Sequence, residues 1–464
     1  MRKKVLAAAS ALALCGGVQA ETTEELKGLL DQAMRTIQDL QSRVRALEAQ
    51  NAQKVPASAP AATAPAPTVA VPAPGSAPAA ETAGAPVVAP NVAAEAGTPA
   101  ADKAQVALYG QVMVDAIYDA KRMHPSWQAT LRPSQIPVTC PGDPGCGKDG
   151  AYAMSVRQSS LGLRATIPTS LGVVKTDLAF DLFGTDGSTS IHWLRAWAEL
   201  GKWGAGQTDS NFMNLDAFPN TIDYWGPPGM VFLRNPQLRY TREAGPGASW
   251  AVSLEAPNSV IDTGKLSQVD PALGAGVTAR NRLPDLVGSY RFERDWGHVK
   301  AAAIVREVGF QTSTTASGNP SNSKTGYGLN VSGVLKIAGR DSLSWGVAGG
   351  KAIASYMNDG GTDLAPDARA RAQAVESLGY FIYYGHAWNP KLQSSIGYSQ
   401  HRQDNTGGQA GNALHAGSYA SANLLYSLTA NVLLGGEYLW GRRENKDGTA
   451  SSDSRIQFST RVSF

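Results

Sequence analysis

The feature that most constrains the fold is an alternation of apolar and polar residues that continues from about residue 104 to residue 464. Residues 173–184 show it clearly: apolar Val174, Leu178, Phe180 and Leu182 have one parity, and Lys175, Asp177 and Asp181 have the other. A period of two residues is typical of β-strands. We count sixteen such segments, one of them at 152–167, and short turns between them alternate with long polar loops.

Two β architectures fit this alternation, a soluble sandwich and a barrel in a membrane. Sixteen strands are too many for one sandwich, and alternating short turns and long loops are typical of an up-and-down barrel with two different ends. Aromatic residues also cluster towards the strand ends, as they do at the two bilayer interfaces of such barrels. The sequence therefore predicts an all-β fold, a 16-stranded antiparallel transmembrane β-barrel over residues 104–464.

Residues 1–20 have the pattern of a secretory signal peptide. A basic start precedes an apolar run from Val5 to Leu14, and Val18-Gln19-Ala20 forms a cleavage site. Lipid attachment at Cys15 is disfavoured because Leu14 before it is not small. Cleavage after Ala20 leaves equal numbers of basic and acidic residues, which argues against a nucleic-acid partner. The mature protein is expected to be exported.

Residues 21–54 carry a heptad pattern, which predicts a periplasmic α-helical coiled coil. Positions a and d are occupied by Leu30, Ile37, Val44 and Asn51, and by Leu26, Ala33, Leu40 and Leu47. The apolar seam requires partner chains, so the pattern predicts a homo-oligomer without fixing the number of copies. A lone amphipathic helix is disfavoured because the next segment offers no core.

Residues 55–103 form a linker rich in Ala and Pro. Prolines recur from Pro56 to Pro99 and prevent a helix or sheet from propagating. We predict a disordered, extended spacer that could reach on the order of 140 Å at ~3.1 Å per residue.

Several motifs in the first half of the barrel resemble those of Gram-negative porins, and more narrowly those of the DcaP-like porins. They are Leu108-Tyr109-Gly110, residues 156–163 (VRQSSLGL), residues 205–208 (AGQT), residues 210–216 (SNFMNLD) and residues 223–229 (DYWGPPG). The resemblance implies a homotrimer in the outer membrane and passive uptake of small, often carboxylated, solutes. It also implies that the third long loop folds into the lumen and sets the constriction.

That third long loop covers about residues 210–233. Its polar residues suit a wet pore wall, and its prolines would stiffen it; the polar candidates are Asn211, Asn214, Asp216 and Asp223. An ordinary surface loop is the alternative. Resemblance and strand order favour the inward fold.

Strand parity indicates which basic residues lie on the opposite wall of the pore. Arg164 has the parity opposite to Leu163, Arg195 opposite to Leu194, and Arg239 opposite to Leu238. An arginine facing mid-bilayer lipid costs about 2–4 kcal/mol, so the lumen is favoured. The candidate pore-lining and substrate-binding residues are Arg164, Lys175, Arg195, Arg239 and Arg291. They would attract anionic solutes unless Asp177, Asp181 and Glu199 neutralise them.

Cys140 and Cys146 flank Pro-Gly-Asp-Pro-Gly in the first long loop, and export favours a disulfide between them. A metal site there lacks a nearby His or further Cys. We find no enzyme signature and expect no cofactor or metal. A small-anion porin is the favoured function. A general porin with little selectivity is one alternative, and an envelope tether whose N-terminal region contacts the cell wall is another.

Overall fold

The computed structural model describes residues 103–269, 271–312, 320–337 and 339–464. The predicted signal peptide, the predicted coiled coil and all but the last residue of the predicted linker lie outside the described residues. Those three assignments stay predictions.

The described residues form eighteen β-strands, two short α-helices and four 3-10 helices of three residues each. The first nine strands are β1 Gln105–Asp119, β2 Ala151–Ser155, β3 Ser160–Thr169, β4 Gly172–Phe183, β5 Thr189–Leu200, β6 Trp203–Asp209, β7 Arg234–Glu243, β8 Ala248–Glu255 and β9 Val277–Ala279. The others are β10 Asp285–Arg294, β11 Gly297–Thr312, β12 Ser321–Lys336, β13 Ser342–Lys351, β14 Glu376–Ala387, β15 Leu392–Asp404, β16 Leu414–Ser427, β17 Val432–Asn445 and β18 Ala450–Ser463. The helices are α1 Gly264–Val269 and α2 Pro271–Ala275.

Sixteen of these strands close into one antiparallel barrel, which confirms the predicted architecture. Each barrel strand pairs with its neighbours in chain order, and β1 closes the ring by pairing with β3 on one side and β18 on the other. The two remaining strands are short additions at the long-loop end: β2 continues the line of β3 along β1, and β9 pairs with the end of β11. Closure leaves no free sheet edge, as the hydrocarbon core of a membrane requires.

The strand predicted at 152–167 is interrupted. Residues 156–159 leave the ladder, so that β2 and β3 are separate strands that both pair with β1. The register against β1 shifts by one residue across the break, because Gln111 stands opposite Ser160 and Asp115 opposite Ser155. The outward residues therefore change from even positions in β2 (Tyr152) to odd positions in β3 (Leu163).

The outer face of the barrel is apolar and exposed. Leu108, Leu163 and Leu178 stand side by side on β1, β3 and β4, and each is more than a third exposed. Exposed apolar side chains in a row around a closed barrel form the surface that contacts lipid in a transmembrane barrel.

The two ends of the barrel differ. One end carries short connections, including residues 170–171, 201–202, 295–296 and 428–431, and the other carries long ones, including 120–150, 210–233 and 352–375. In outer-membrane barrels the short turns are periplasmic and the longer loops extracellular. Within the described ranges, no helix is long and apolar enough to cross a bilayer.

Candidate functional site: the barrel interior

The third long loop, residues 210–233, is fastened to opposite walls of the barrel. On β8, the Glu255 carboxylate accepts hydrogen bonds from the Ser210 hydroxyl (2.7 Å) and the Asn211 backbone N–H (2.8 Å). On β17, the Glu437 carboxylate accepts the backbone N–H groups of Ile222 (2.7 Å) and Asp223 (3.0 Å). Strands β8 and β17 are the seventh and fifteenth of the sixteen barrel strands, half a circumference apart. The loop therefore crosses the barrel interior, and we call it the inner loop.

The far end of the inner loop lies directly on the strand backbone. A Cβ atom on Gly229 would overlap the carbonyl oxygens of Tyr380 on β14 and Gln400 on β15. The Gly229 N–H donates to the Ser399 hydroxyl of β15 at 2.9 Å. Glycine is required here because only a residue without a side chain lets the two backbones approach so closely.

The four polar residues predicted in this loop have two different roles. Asn211 and Asn214 are buried and bond to the wall: the Asn211 amide donates to the Ala251 carbonyl at 3.2 Å, and the Asn214 amide to the Ser332 carbonyl at 3.1 Å. Asp216 is exposed and forms an ion pair with Arg291 at 2.8 Å. These two asparagines therefore hold the loop in place, and Asp216 reaches the solvent.

Asp223 joins the inner loop to the first long loop. Its buried carboxylate accepts the Thr130 hydroxyl at 2.9 Å and the Leu131 N–H at 3.0 Å. Burial raises the pKa of Asp223 above its usual value, and the attraction of Arg455 and the hydrogen-bond donors oppose that rise. Asp223 is thus a structural contact between two loops.

The first long loop and residues 352–375 also pack into the barrel. The Arg132 guanidinium lies over the rings of both Trp127 (4.1 Å) and Trp225 (3.8 Å), and it pairs with the buried Asp359 at 3.0 Å. The Trp225 indole N–H donates to the Asn358 carbonyl at 2.8 Å. Arg132 therefore links three loops at the long-loop end.

These loops cover the barrel wall unevenly. The inward side chains of β14–β18 are almost fully buried beneath them, including Tyr383, Tyr419, Leu439, Arg455 and Gln457. Across the barrel, inward side chains of β3–β10 keep access to solvent: 44% of Arg164, 20% of Asp177 and 25% of Arg291 is exposed. The open part of the interior lies along β3–β10, the wall that carries the predicted basic residues.

On that wall, Arg164 and Arg195 share carboxylate partners. Asp177 lies 3.5 Å from the Arg164 guanidinium and 3.8 Å from that of Arg195, and it also accepts the Tyr109 hydroxyl. Arg195 makes a closer pair with Asp209 at 3.1 Å, which also binds Arg234 at 2.8 Å. These arginines are on the inner face as predicted, but their charges are largely compensated.

Arg195 faces the interior, but its neighbour Leu194 does not face lipid as predicted. Leu194, its neighbour of opposite parity, is buried and does not face lipid, because the register of β4 and β5 shifts at this point. Arg195 nevertheless stands opposite inward-facing Ala179 and contacts Asp177. Leu194 is the extra residue of a β-bulge, so that Trp193 faces outward and Arg195 inward although both have the same parity.

Arg239 on this wall and Lys300 on the adjacent strand β11 differ from Arg164, Arg195 and Arg291, which pair with carboxylates. Arg239 bonds to the Gln237 side chain at 2.9 Å and to the Asp209 carbonyl oxygen. The Lys300 ammonium donates to the Met213 carbonyl of the inner loop at 2.7 Å. Among the described residues, neither cation has an acidic oxygen within 4.0 Å. Arg291 stands directly opposite Lys300 in the β10–β11 ladder. Arg239 and Arg291 repel the Lys300 ammonium, and Glu255 and Asp216 attract it. We call Arg239, Lys300 and Arg291 the cationic cluster beside the inner loop.

Of the three acidic residues expected to neutralise the basic wall, only one forms ion pairs with its arginines. Asp177 fulfils that role, and Glu199 stands opposite Lys175 in the ladder but accepts the Trp197 indole N–H at 2.8 Å. Asp181 instead pairs with His192 at 3.3 Å and accepts the Tyr224 hydroxyl at 2.6 Å. Asp209, the main partner of Arg195, was not anticipated. Lys300 was also missed, although apolar Val299 and Ala301 on either side give it inward parity.

In the first long loop, the Cys140 and Cys146 sulfur atoms are 2.07 Å apart, the separation of a disulfide bond. The described part of the chain contains no group of three or more His, Cys, Asp or Glu side chains suited to hold a metal ion.

A closed sixteen-stranded barrel with an apolar outer face and a charged, partly open interior defines the class of outer-membrane porins and channels. The sequence matches the profile of the family described as DcaP outer membrane protein over residues 87–464. The chain belongs to this family, whose members are channels and not enzymes.

Solved structures of similar fold include three outer-membrane proteins. The outer membrane channel DcaP of Acinetobacter baumannii is 23% identical, with a TM-score of 0.67 over 80% of this chain and 100% of that one. OmpT of Vibrio cholerae is 12% identical (TM-score 0.48, 79% and 99% covered). An anion-selective porin from Comamonas acidovorans is also 12% identical (TM-score 0.46, 78% and 100% covered). No curated protein sequence matches the chain.

Proposed function

We propose that this chain forms a passive pore for small hydrophilic anions, carboxylates and dicarboxylates in particular. The observation that carries the proposal is the cationic cluster of Arg239, Lys300 and Arg291, in which the first two cations have no carboxylate partner among the described residues. Arg239 and Arg291 lie on the wall that the loops leave open, and Lys300 lies beside it on β11. A solute on this route meets positive charge where the inner loop is nearest.

The inner loop is proposed to form the constriction. It is fastened to β8 and β17, and its packing against β10–β18 restricts the free passage to the side of β3–β10. Arg164, Lys175 and Arg195 would line the route on either side of the cluster. Asn211, Asn214 and Asp223 would contribute by holding the loop, and Asp216 by facing the solute.

The electrostatic attraction between a wall cation and a carboxylate solute is large enough to affect passage. A unit charge ~5 Å from a carboxylate gives on the order of 3 kcal/mol at an effective dielectric constant near 20, before desolvation. Arginine can hold a carboxylate with two parallel hydrogen bonds. The binding must stay partial because a solute held tightly would block the pore.

We propose further that the pore is a homotrimer with its N-terminal region in the periplasm. The heptads of residues 24–53 favour an oligomer, and one solved OmpT structure is described as a trimer form. Strand β1 begins at the end that carries the short turns, which is periplasmic in outer-membrane barrels. Contact of that region with the cell wall is part of the tether hypothesis.

Planar-bilayer recording under a KCl gradient tests the proposal. An anion-preferring pore gives a reversal potential of the sign set by chloride, and an added dicarboxylate such as succinate should block the current partially and reversibly. A reversal potential near zero without blockage would support the general porin. The compensation of Arg164 and Arg195 by Asp177 and Asp209 is what keeps that alternative open.

A further inference from the structure

The interior of the barrel contains a cavity between the inner loop and the short-turn end. Its volume is about 360 Å³, within the range of small-molecule sites. The Arg239 guanidinium on its wall bonds to the Asp209 carbonyl, where the inner loop begins. We call this space the vestibule cavity, and its lining includes Trp197, Glu199, Gly204, Arg239 and Glu243.

An acid and a base line the vestibule cavity without pairing. Glu199, Gly204 and Arg239 form one rung of the ladder across β5, β6 and β7. Two strand spacings, about 10 Å, therefore separate the Cα atoms of Glu199 and Arg239. Within the described part of the chain, neither side chain has an oppositely charged group within 4.0 Å, and this includes Lys175 opposite Glu199. Charges of both signs are thus available on one stretch of wall.

Gly204 and Trp197 occupy the gap between the two charges. A Cβ atom on Gly204 would overlap the Trp197 ring, so the ring packs against the strand backbone there. The Trp197 indole N–H donates to one oxygen of Glu199 at 2.8 Å, and the Arg239 guanidinium carbon lies 5.6 Å from the ring centroid. The ring therefore fixes one oxygen of the Glu199 carboxylate. The other oxygen has no hydrogen-bond partner among the described residues and can accept one from a solute.

We propose that the vestibule cavity binds small amino acids, solutes that carry both a carboxylate and an ammonium group. The carboxylate pairs with Arg239, whose guanidinium can form two parallel hydrogen bonds with it. The ammonium pairs with the second oxygen of Glu199. Lys202 and Glu243 add a further charge of each sign to the cavity. The proposal rests on the proposed function, because the site lies on the same open wall of the pore.

The acid distinguishes this cavity from the cationic cluster. A simple carboxylate is attracted by Arg239 but repelled by Glu199, whereas the ammonium group of an amino acid turns that repulsion into attraction. A pore that selects by positive charge alone holds an anion better than a solute without net charge. The vestibule cavity reverses this order. Exposed ion pairs are weak, so a bound amino acid can still leave.

The test compares 4-aminobutyrate with butyrate as blockers of the KCl current through the full-length pore in planar bilayers at neutral pH. The two solutes have the same carbon chain, but only the first has an ammonium group. The half-blocking concentration of 4-aminobutyrate should be about fivefold lower than that of butyrate. The variant Glu199→Gln keeps an acceptor for the Trp197 indole N–H and should abolish this difference.

Asp295→Asn is the matched control, because it removes an exposed carboxylate from the short turn 295–296, outside the cavity. It should keep the wild-type values for both solutes, and circular dichroism with heat modifiability establishes that both variants are folded. Loss of chloride preference and of succinate blockage in wild type would refute the proposed function. In a chloride-preferring pore, 4-aminobutyrate that blocks no better than butyrate would overturn the present proposal alone. So would a folded Glu199→Gln variant that retains the wild-type difference between the two solutes.

Discussion

The hydrogen bonds between the inner loop and Glu437 allow us to predict how much free energy their loss would cost the docked loop. The Glu437 Oε2 atom accepts two buried backbone N–H groups, those of Ile222 and Asp223, and Glu437→Ala removes this shared acceptor. Each buried donor left unpaired costs about 1–3 kcal/mol, so the docked loop should lose about 2–6 kcal/mol. Barrel closure does not depend on this side chain. We therefore expect a folded barrel whose inner loop detaches from the β17 wall.

Two assays detect this detachment. Chymotrypsin should cut the variant within the inner loop, where Tyr224 and Trp225 become accessible, and single-channel conductance should rise as the constriction opens. Glu437→Gln is the matched control because it keeps an acceptor oxygen, and Glu444→Ala removes a carboxylate that faces outward on the same strand. A folded Glu437→Ala barrel with wild-type conductance and wild-type resistance to chymotrypsin would refute the reasoning.

Three further predictions concern other parts of the chain. Deleting residues 21–53 should leave a heat-modifiable barrel, because the predicted coil joins subunits and contributes no strand; loss of sheet in circular dichroism would contradict this. A non-reduced digest should yield Cys140 linked to Cys146, and mass spectrometry showing free thiols would count against the disulfide. Arg164→Glu on the inner face should still insert into membranes, whereas Leu163→Glu on the lipid face should insert poorly, although a carboxylate costs less than the about 2–4 kcal/mol of an Arg or Lys at mid-membrane. Equal insertion of both variants would contradict the facing assigned to β3.

The barrel could be predicted from the sequence because alternation is a local property of each strand. The exceptions are also local: the register shift beside Leu194 and the break at 156–159 move side chains without changing the composition. At the break the outward apolar residues change from even positions (Met154) to odd positions (Leu161), a change that is overlooked when residues 152–167 are read as one regular strand. Arg164 and Arg239 face the interior, as their parity predicts, because each lies in a regular part of its strand.

The interior was harder to predict because its contacts join distant parts of the chain. Polar residues in the third loop suggested a pore lining, but Asn211 and Asn214 are buried against the wall. The partner of the Asp223 N–H is Glu437, 214 residues away. Likewise, the sequence identifies Arg195 as a cation but not its compensation by Asp209, which depends on how β6 enters the loop.

Reversal potential in a charge-reversal variant tests the central claim most directly. Arg164→Glu with Arg239→Glu reverses two cations of the open wall, and Arg242→Glu with Arg294→Glu reverses two at the exposed short-turn rim as a control. Under a KCl gradient, the first pair should move the reversal potential towards cations and weaken blockage by dicarboxylates, whereas the control should keep the wild-type values. An unchanged reversal potential in a folded, conducting Arg164→Glu and Arg239→Glu variant would contradict anion selection by this wall.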